Sequence, residues 1–400
     1  MWHHPLQQSG CQFVHGSVAS GSLVNAGQNR NSRLQDRAFS VTDGPNTPKP
    51  AHSRRPRYRG THPRRFEEKY KELDPGRYPD LVAHVRAGGK TPAGQHVPIL
   101  VDAVLEALAP APGERGVDAT LGWGGHAEAL LRRLLPGGQL LALDADPIEL
   151  PKTEARLREL GFGAEALTAR RTNFAGVHAA IAAIGWHNGA DCVFADLGVS
   201  SMQIDDPSRG FSAKLDGPLD MRMNPSRGAT AAAWLERASA DTEALANVLR
   251  ANADEPYASE IAVALVERRG ALMTTSALAE AVRQAVGSRV SAADADASIR
   301  RVFQAIRIEV NDEFGALDAF LRQAPQCLRP GGRVAVLTFH SGEDRRVKRA
   351  FDQGRRDEVY AEVSRDVVRA SGAERRANPR ASAAKLRWAK RASAGTPDVG

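Results

Sequence analysis

Apolar positions recur with two periods along most of this chain, and the two alternate. Val101–Leu108 carries apolar residues at helical spacing, and Gly116–Thr120 then reads as a short strand running into a glycine loop. Ala127–Leu135 is a helix stopped by Pro136-Gly137-Gly138, and Gln139–Leu143 is an apolar strand ending in Asp144. A helix through Arg156 and Leu160, a strand at Ala166–Ala169, a helix at Val177–Ile184 and a strand at Asp191–Ala195 follow. After Asp196 the alternation lapses for about a hundred residues, and Thr230–Ile308 is rich in Ala, Leu and Arg at helical spacing. It resumes with a helix at Asp312–Leu328, a Pro330-Gly331-Gly332 turn, a strand at Arg333–Phe339 and a helix at Glu343–Phe351. A polar stretch at Arg355–Asn378 is expected to be mobile, and Lys385–Ala389 is expected to be the last strand. Strands alternating with helices imply an α/β fold with a doubly wound, Rossmann-like parallel sheet, here carrying an inserted helical subdomain.

The expected domain limits follow from these changes of pattern. Residues 1–92 form a basic extension, largely disordered, with a helical pattern at 63–85 (Phe66, Tyr70, Leu73, Tyr78, Leu81, Val85). Residues 93–204 and 309–392 are the two parts of the Rossmann-like domain, 205–308 the inserted helical subdomain for substrate recognition, and 393–400 a tail. Arg54, Arg55, Arg57, Arg59, Arg64 and Arg65 make a basic run suited to phosphate backbones, and equally to a solvated tail or a targeting segment.

Composition narrows the partners. The chain has 54 Lys and Arg against 47 acids, a net charge of +7, which favours polyanions. No apolar run is long enough for a membrane span and no secretory signal is visible, so a cytoplasmic protein is expected. Cys11, Cys192 and Cys327 lie far apart without ligand spacing, so neither a disulfide framework nor a zinc site is indicated.

The candidate chemistry lies at strand ends. In the loop Asp118-Ala119-Thr120-Leu121-Gly122-Trp123-Gly124-Gly125-His126, the glycines let the backbone approach a ligand and the next helix start offers free N–H groups. Gly122, Gly124 and Ala127 also satisfy the dinucleotide pattern G-x-G-x-x-G/A, with Asp144 at the distance of a ribose-binding acid. A nicotinamide enzyme therefore stays open on this loop alone. Asp118 at the end of the first strand suits a cationic amino acid moiety better than a pyrophosphate and favours S-adenosylmethionine. Asp196 directly follows the fourth predicted strand, in Asp196-Leu197-Gly198-Val199-Ser200-Ser201-Met202-Gln203, so Asp118, Asp144 and Asp196 should converge at the carboxyl edge of the sheet. Asp205, Asp206, Asp216 and Asp220 could be read as a hard-metal cluster, but loop acids pairing with Arg209 and Arg222 explain them, and no metal is expected.

These motifs resemble, in order, a known family. His96-Val97-Pro98-Ile99-Leu100, the 118–126 loop, 196–203, Asp205–Ser212, Asp216–Met223, Arg301–Ile308, Thr338-Phe339-His340-Ser341, Asn378-Pro379-Arg380 and Lys385-Leu386-Arg387 are similar to the bacterial small-subunit ribosomal RNA methyltransferase H family, also called MraW, over about residues 94–392. The chain departs from that pattern at Trp123, Gly342 and Ser382-Ala383. The resemblance implies a class I methyltransferase that transfers a methyl from S-adenosylmethionine to N4 of a cytosine in the decoding centre of 16S rRNA, with the small subunit as partner, no membrane, and room for a homodimer. It implies donor contacts at Gly124, Gly125, His126, Asp144, Phe174, Asp196 and Gln203, to which the strand-end argument adds Asp118. The proton-accepting role falls to Asp196 or the Leu197 carbonyl, with Ser200 and Ser201 shaping the base pocket. Arg209, Arg222, Arg301, Arg307, Lys385 and Arg387 are the candidate RNA contacts. A binding or assembly factor that keeps the fold without catalysis is the remaining alternative.

Overall fold

The computed structural model describes residues 98–393. The basic run, the helical pattern at 63–85, His96-Val97 and the tail from 394 lie outside the described residues. Within them, β1 (Arg115–Asp118), β2 (Gln139–Asp144), β3 (Leu167–Arg171), β4 (Ala190–Asp196), β5 (Leu328–Thr338), β6 (Tyr360–Val363) and β7 (Lys385–Arg391) form one sheet in the order β3-β2-β1-β4-β5-β7-β6. The first five are parallel, and β7 runs antiparallel to both of its neighbours. The order reverses between β1 and β4, so the loops after these two strands splay apart and leave a crevice at their carboxyl ends.

Both faces of the sheet are covered, which is why the strands read as unbroken apolar runs. α1 (Val101–Leu108), α2 (Gly125–Leu134) and α3 (Glu149–Glu159) bury Leu108, Leu130, Leu134 and Leu157 against Leu140, Cys192, Phe194 and Leu337. α4 (Val177–Ala183) contributes Val177 and Ile181 to the opposite face, where Val117, Leu141, Val193 and Val336 lie. In β4 every residue is buried except the terminal Asp196. The strand thus carries one charge from the core to the crevice floor.

Between β4 and β5 the chain runs through the short α5 (Ser201–Asp205), α6 (Ala231–Ala238), α7 (Thr242–Ala253), α8 (Ala258–Glu267), α9 (Thr275–Val286) and the twenty-residue α10 (Ala292–Asn311). These helices bury their own cluster, with Leu235, Leu249, Ile261, Leu278, Val282, Val302 and Ile306 at its centre. Asp312, at φ 49°, turns the chain into α11 (Glu313–Cys327), which packs Leu317 and Phe320 onto the sheet. The sheet is then completed by α12 (Ser341–Arg356) and, before β7, α13 (Gly372–Ala377).

Two expectations need correction. The Pro330-Gly331-Gly332 segment does not precede β5 but lies within it. Ala190 pairs with Leu328 and Cys192 with Arg333, so the four residues between form a bulge in which Gly331 takes φ 76°. The stretch expected to be mobile contains β6 and α13. β6 buries only Tyr360 deeply, at the sheet edge, so no apolar alternation marks it in the sequence.

Candidate active site

The glycine loop is held open from behind. Gly122 N–H donates to Asp144 Oδ2 (2.8 Å), while Thr153 Oγ1 donates to the Gly122 carbonyl (2.6 Å). Arg156 donates to the Trp123 carbonyl (2.7 Å) and stacks its guanidinium over the Trp123 ring. The carbonyls of Gly122 and Trp123 are thereby drawn toward α3. Gly124 has φ 78°, and a Cβ there would lie 2.8 Å from Thr153 Cγ2. A Cβ on Gly125 would lie 2.8 Å from Pro98. α2 starts here without a side-chain cap, so its first amides are available to an anionic or carbonyl group.

Three carboxylates stand around this loop. Asp118 is 1% exposed; its Oδ1 accepts from Thr120 N–H (3.1 Å), and its Oδ2 has no hydrogen-bond partner among the described residues. Burial, with the Asp144 charge nearby, pushes its carboxyl up to about 7. Asp144 accepts from the N–H groups of Gly122 and Asp146, both at 2.8 Å, which leaves further lone pairs on each oxygen for hydroxyl donors. Its carboxyl is also raised, chiefly by burial. Asp196 donates its N–H to Thr120 Oγ1 (2.6 Å), which ties the ends of β1 and β4 together. Its carboxyl is raised well above the usual range by loss of solvation and by Asp118 and Glu343, although its side chain keeps 29% exposure to the crevice. Among the described residues no Lys or Arg forms an ion pair with any of the three.

His126 lies beneath them rather than in the crevice. It is 7% exposed, with its ring 4.6 Å from that of Phe194, and burial lowers its pKa to about 4. Nε2 sits 2.9 Å from the Ile99 carbonyl, which can only accept, so we assign the ring proton to Nε2. Nδ1 is then an acceptor, 3.5 Å from Asp196 Oδ2, and a protonated Asp196 satisfies it.

Other expected residues take different places. Gln203 is buried and donates to Asp146 Oδ2 (2.8 Å), while its Oε1 accepts from Ser200 N–H; the Ser200 hydroxyl caps α5 by accepting from Gln203 N–H. Ser201 opens α5. Phe174, on the turn after β3, packs edge-on against Phe320 at 5.9 Å and remains half-buried. The six candidate RNA contacts are all engaged within the protein. Arg209 pairs with Asp146 (2.9 Å), Arg222 with Asp220, Arg301 with the buried Glu255, Arg307 with Glu313, and both Lys385 and Arg387 with Asp344. Asp205 pairs with Arg380, Asp206 turns onto Ser208, and Asp220 has its expected partner in Arg222. Elsewhere Glu313, His340 and Glu343 bring three ligand-type atoms within 4.8 Å. Arg307 forks onto Glu313, and Glu343 accepts from Phe339 N–H. Burial opposes the Glu343 charge, but His340, Phe339 and Arg307 outweigh it and hold the carboxyl low.

Thr120, Asp146, Thr153 and Arg156 were not picked out by sequence reasoning, although each holds part of the crevice. Only Asp146 carried a signal, in Asp144-Ala145-Asp146-Pro147, where a second acid follows the strand end.

The buried Asp118 has a testable consequence. A carboxyl raised in the folded state favours folding while protonated, so this contribution is present below its ordinary value near 3.8 and lost as pH rises through about 7. Asp118→Asn should therefore stabilise the ligand-free protein at pH 8 by up to ~4 kcal/mol and leave it unchanged at pH 4. Thermal denaturation across that range would show a widening gap; parallel curves would contradict the assignment.

The chain matches the model of the MraW methylase family over residues 93–392. It is 48% identical over 349 residues to "Ribosomal RNA small subunit methyltransferase H 1" of Lachnoclostridium phytofermentans, an alignment covering 86% of this chain and 94% of that protein. It is 48% identical over 345 residues to "Ribosomal RNA small subunit methyltransferase H 2" of Alkaliphilus metalliredigens, covering 85% and 97%. Among the described residues no helix is long and apolar enough to cross a membrane.

Proposed function

The chain belongs to the MraW methylase family, and from that premise we propose that it is an S-adenosylmethionine-dependent methyltransferase acting on small-subunit ribosomal RNA, at N4 of a cytosine in the decoding centre. The observation that carries the donor half of this reading is the meeting of Asp118, Asp144 and Asp196 at the strand-order reversal with no Lys or Arg among the described residues paired to them. A cofactor with an ammonium, a sulfonium and ribose hydroxyls fits that set. A nicotinamide dinucleotide, with its pyrophosphate, leaves Asp118 and Asp196 without a role.

Bound S-adenosylmethionine would supply an electrophilic methyl. On this reading the chain does the rest. The buried, unpartnered Oδ2 of Asp118 takes the donor's ammonium, Asp144 accepts from its ribose hydroxyls, and the α2 amides receive its carboxylate. Cytosine N4 is a weak nucleophile because its lone pair is delocalised into the ring. Holding it in line with the methyl is worth on the order of 7–11 kcal/mol. Asp196, partly exposed at the crevice floor, accepts an N4 hydrogen as the nitrogen pyramidalises. The base must leave its stack to reach this floor, which costs least in a single-stranded or distorted segment.

We read residues 205–308 as the substrate-recognition subdomain. The arginines expected on RNA then act by shaping it: Arg301 with Glu255 and Arg307 with Glu313 fix α10, and Arg209 anchors the loop below. Phosphate contacts fall instead to exposed side chains such as Arg375 and Arg376 on α13, whose Glu374 accepts from Leu100 N–H near the glycine loop.

Methyl transfer from labelled donor to small ribosomal subunits, with mapping of the modified nucleotide, tests the activity. Asp144→Ala should weaken donor binding by roughly 10- to 100-fold, the worth of charged hydrogen bonds at ~1.5–3 kcal/mol. Unchanged affinity by calorimetry, or binding of NAD in place of the donor, would overturn this reading.

A further inference from the structure

We propose that Asp118, Asp196 and His126 hold a proton that leaves when the cationic donor binds and is restored by the proton lost from the substrate amine, so that the crevice exchanges a proton for the donor's positive charge. This rests on the reading of the crevice as the donor site.

Asp118 on β1, Asp144 on β2 and Asp196 on β4 face the same loop. The Arg209 guanidinium is already committed to Asp146, which Gln203 also contacts, and Arg156 beside the glycine loop is committed to the Trp123 carbonyl and Glu128. From α2, His126 presents a bare Nδ1 to Asp196, because its Nε2 proton is directed at the Ile99 carbonyl. From the junction of β5 and α12 comes a further acid, Glu343, with His340 at 3.1 Å. Arg307, at the end of α10, is committed to Glu313. Among the described residues no neighbouring element therefore brings an uncommitted cation to Asp118 or Asp196, while two of them add acids. A carboxylate in such surroundings either takes a proton or takes a cation. Among the described residues Asp118 Oδ2 has no hydrogen-bond partner, and Asp196 needs a proton to satisfy His126 Nδ1. Loss of solvation and the mutual proximity of these acids raise both carboxyls, in accord with this arrangement.

A donor bearing an ammonium, a carboxylate and a sulfonium has a net charge of about +1, and its thioether product has none. Binding the donor favours ionisation: the Asp196 O–H bond breaks and its proton goes to solvent, which leaves Asp196 as a carboxylate before transfer. In the transfer step the N4 lone pair forms the N–C bond, the C–S bond breaks with its electron pair moving to sulfur, and one N4 proton passes to the Asp196 carboxylate. The floor is again protonated and the product uncharged. The single proton that the overall reaction liberates thus appears when the donor binds rather than during chemistry. The same exchange separates donor from product, since the thioether brings no sulfonium charge to hold the acids ionised.

Calorimetric titration of the full-length protein with S-adenosylmethionine and with S-adenosylhomocysteine, each in two buffers of different ionisation enthalpy, reads the protons directly. Between about pH 6 and 7 the donor should release close to one proton and the thioether clearly fewer. The donor-to-product affinity ratio should then climb with pH, by at most tenfold per unit, and level off near pH 9. Asp118→Asn should bind the donor more weakly and release less. Buffer-independent heats for the donor, or equal proton release by both ligands, would overturn the proposal while leaving donor binding intact. Failure of either ligand to bind would overturn the donor reading along with it.

Discussion

Asp196→Asn should lower the single-turnover rate of methyl transfer by about 10²- to 10⁴-fold, the usual contribution of a positioned proton acceptor, and leave the fold untouched. The amide can donate from Nδ2 to His126 Nδ1 as the protonated acid does, so the contact at 3.5 Å survives. The backbone N–H bond to Thr120 Oγ1 is not altered. What the amide cannot do is accept a proton from N4. Because burial, Asp118 and Glu343 favour the protonated form of Asp196, the amide replaces one neutral group by another, and thermal stability near neutral pH should hold. A rate within a few-fold of the parent would move the acceptor to a backbone carbonyl such as that of Leu197. A rate loss accompanied by unfolding would make Asp196 a structural group.

The second large effect is expected in stability. Arg209→Met should cost about 3–5 kcal/mol, because it leaves Asp146, 1% exposed, as an uncompensated buried charge. Arg209 also donates to the carbonyls of Arg222 and Met223, so the same change unties the segment that leads into the helical insertion. The effect should reach the crevice. Asp146 Oδ1 accepts from the N–H groups of Ile148 and Glu149 at the start of α3, and α3 carries the Thr153 and Arg156 that hold the glycine loop. Denaturant unfolding measures the cost. The double variant Arg209→Met with Asp146→Asn should recover part of it, because the buried charge is gone. A cost below about 1 kcal/mol would mean that the pair is solvated.

Much of the site was legible because strand ends are local. An apolar run that terminates in Asp, followed by glycine or a turn, places its acid at the carboxyl edge of a parallel sheet wherever the strand pairs, and Asp118, Asp144 and Asp196 all obey this. The roles of single side chains were less legible. Arg209 and Arg301 look in sequence like cations available to phosphate, yet their partners lie 63 and 46 positions away. No short-range pattern records such pairings. Ser200 and Gln203 sit in a motif suggestive of a ligand pocket and spend their hydrogen bonds on each other and on Asp146.

The order of motifs and the periodicity of apolar residues by themselves determined the fold class, the interruption of the sheet by helices and the carboxylates that mark the crevice, since each depends on the chain's own local geometry. Tertiary structure alone decided the strand order, with antiparallel β7 between β5 and β6, the burial of His126 under Asp196, and the shift of His126 below and of Asp196 above their ordinary titration ranges. Those depend on which charges and which low-polarity walls are brought together from distant segments. A proton's free energy on a carboxyl responds to that assembled environment, and the sequence around Asp118 or Asp196 does not contain it.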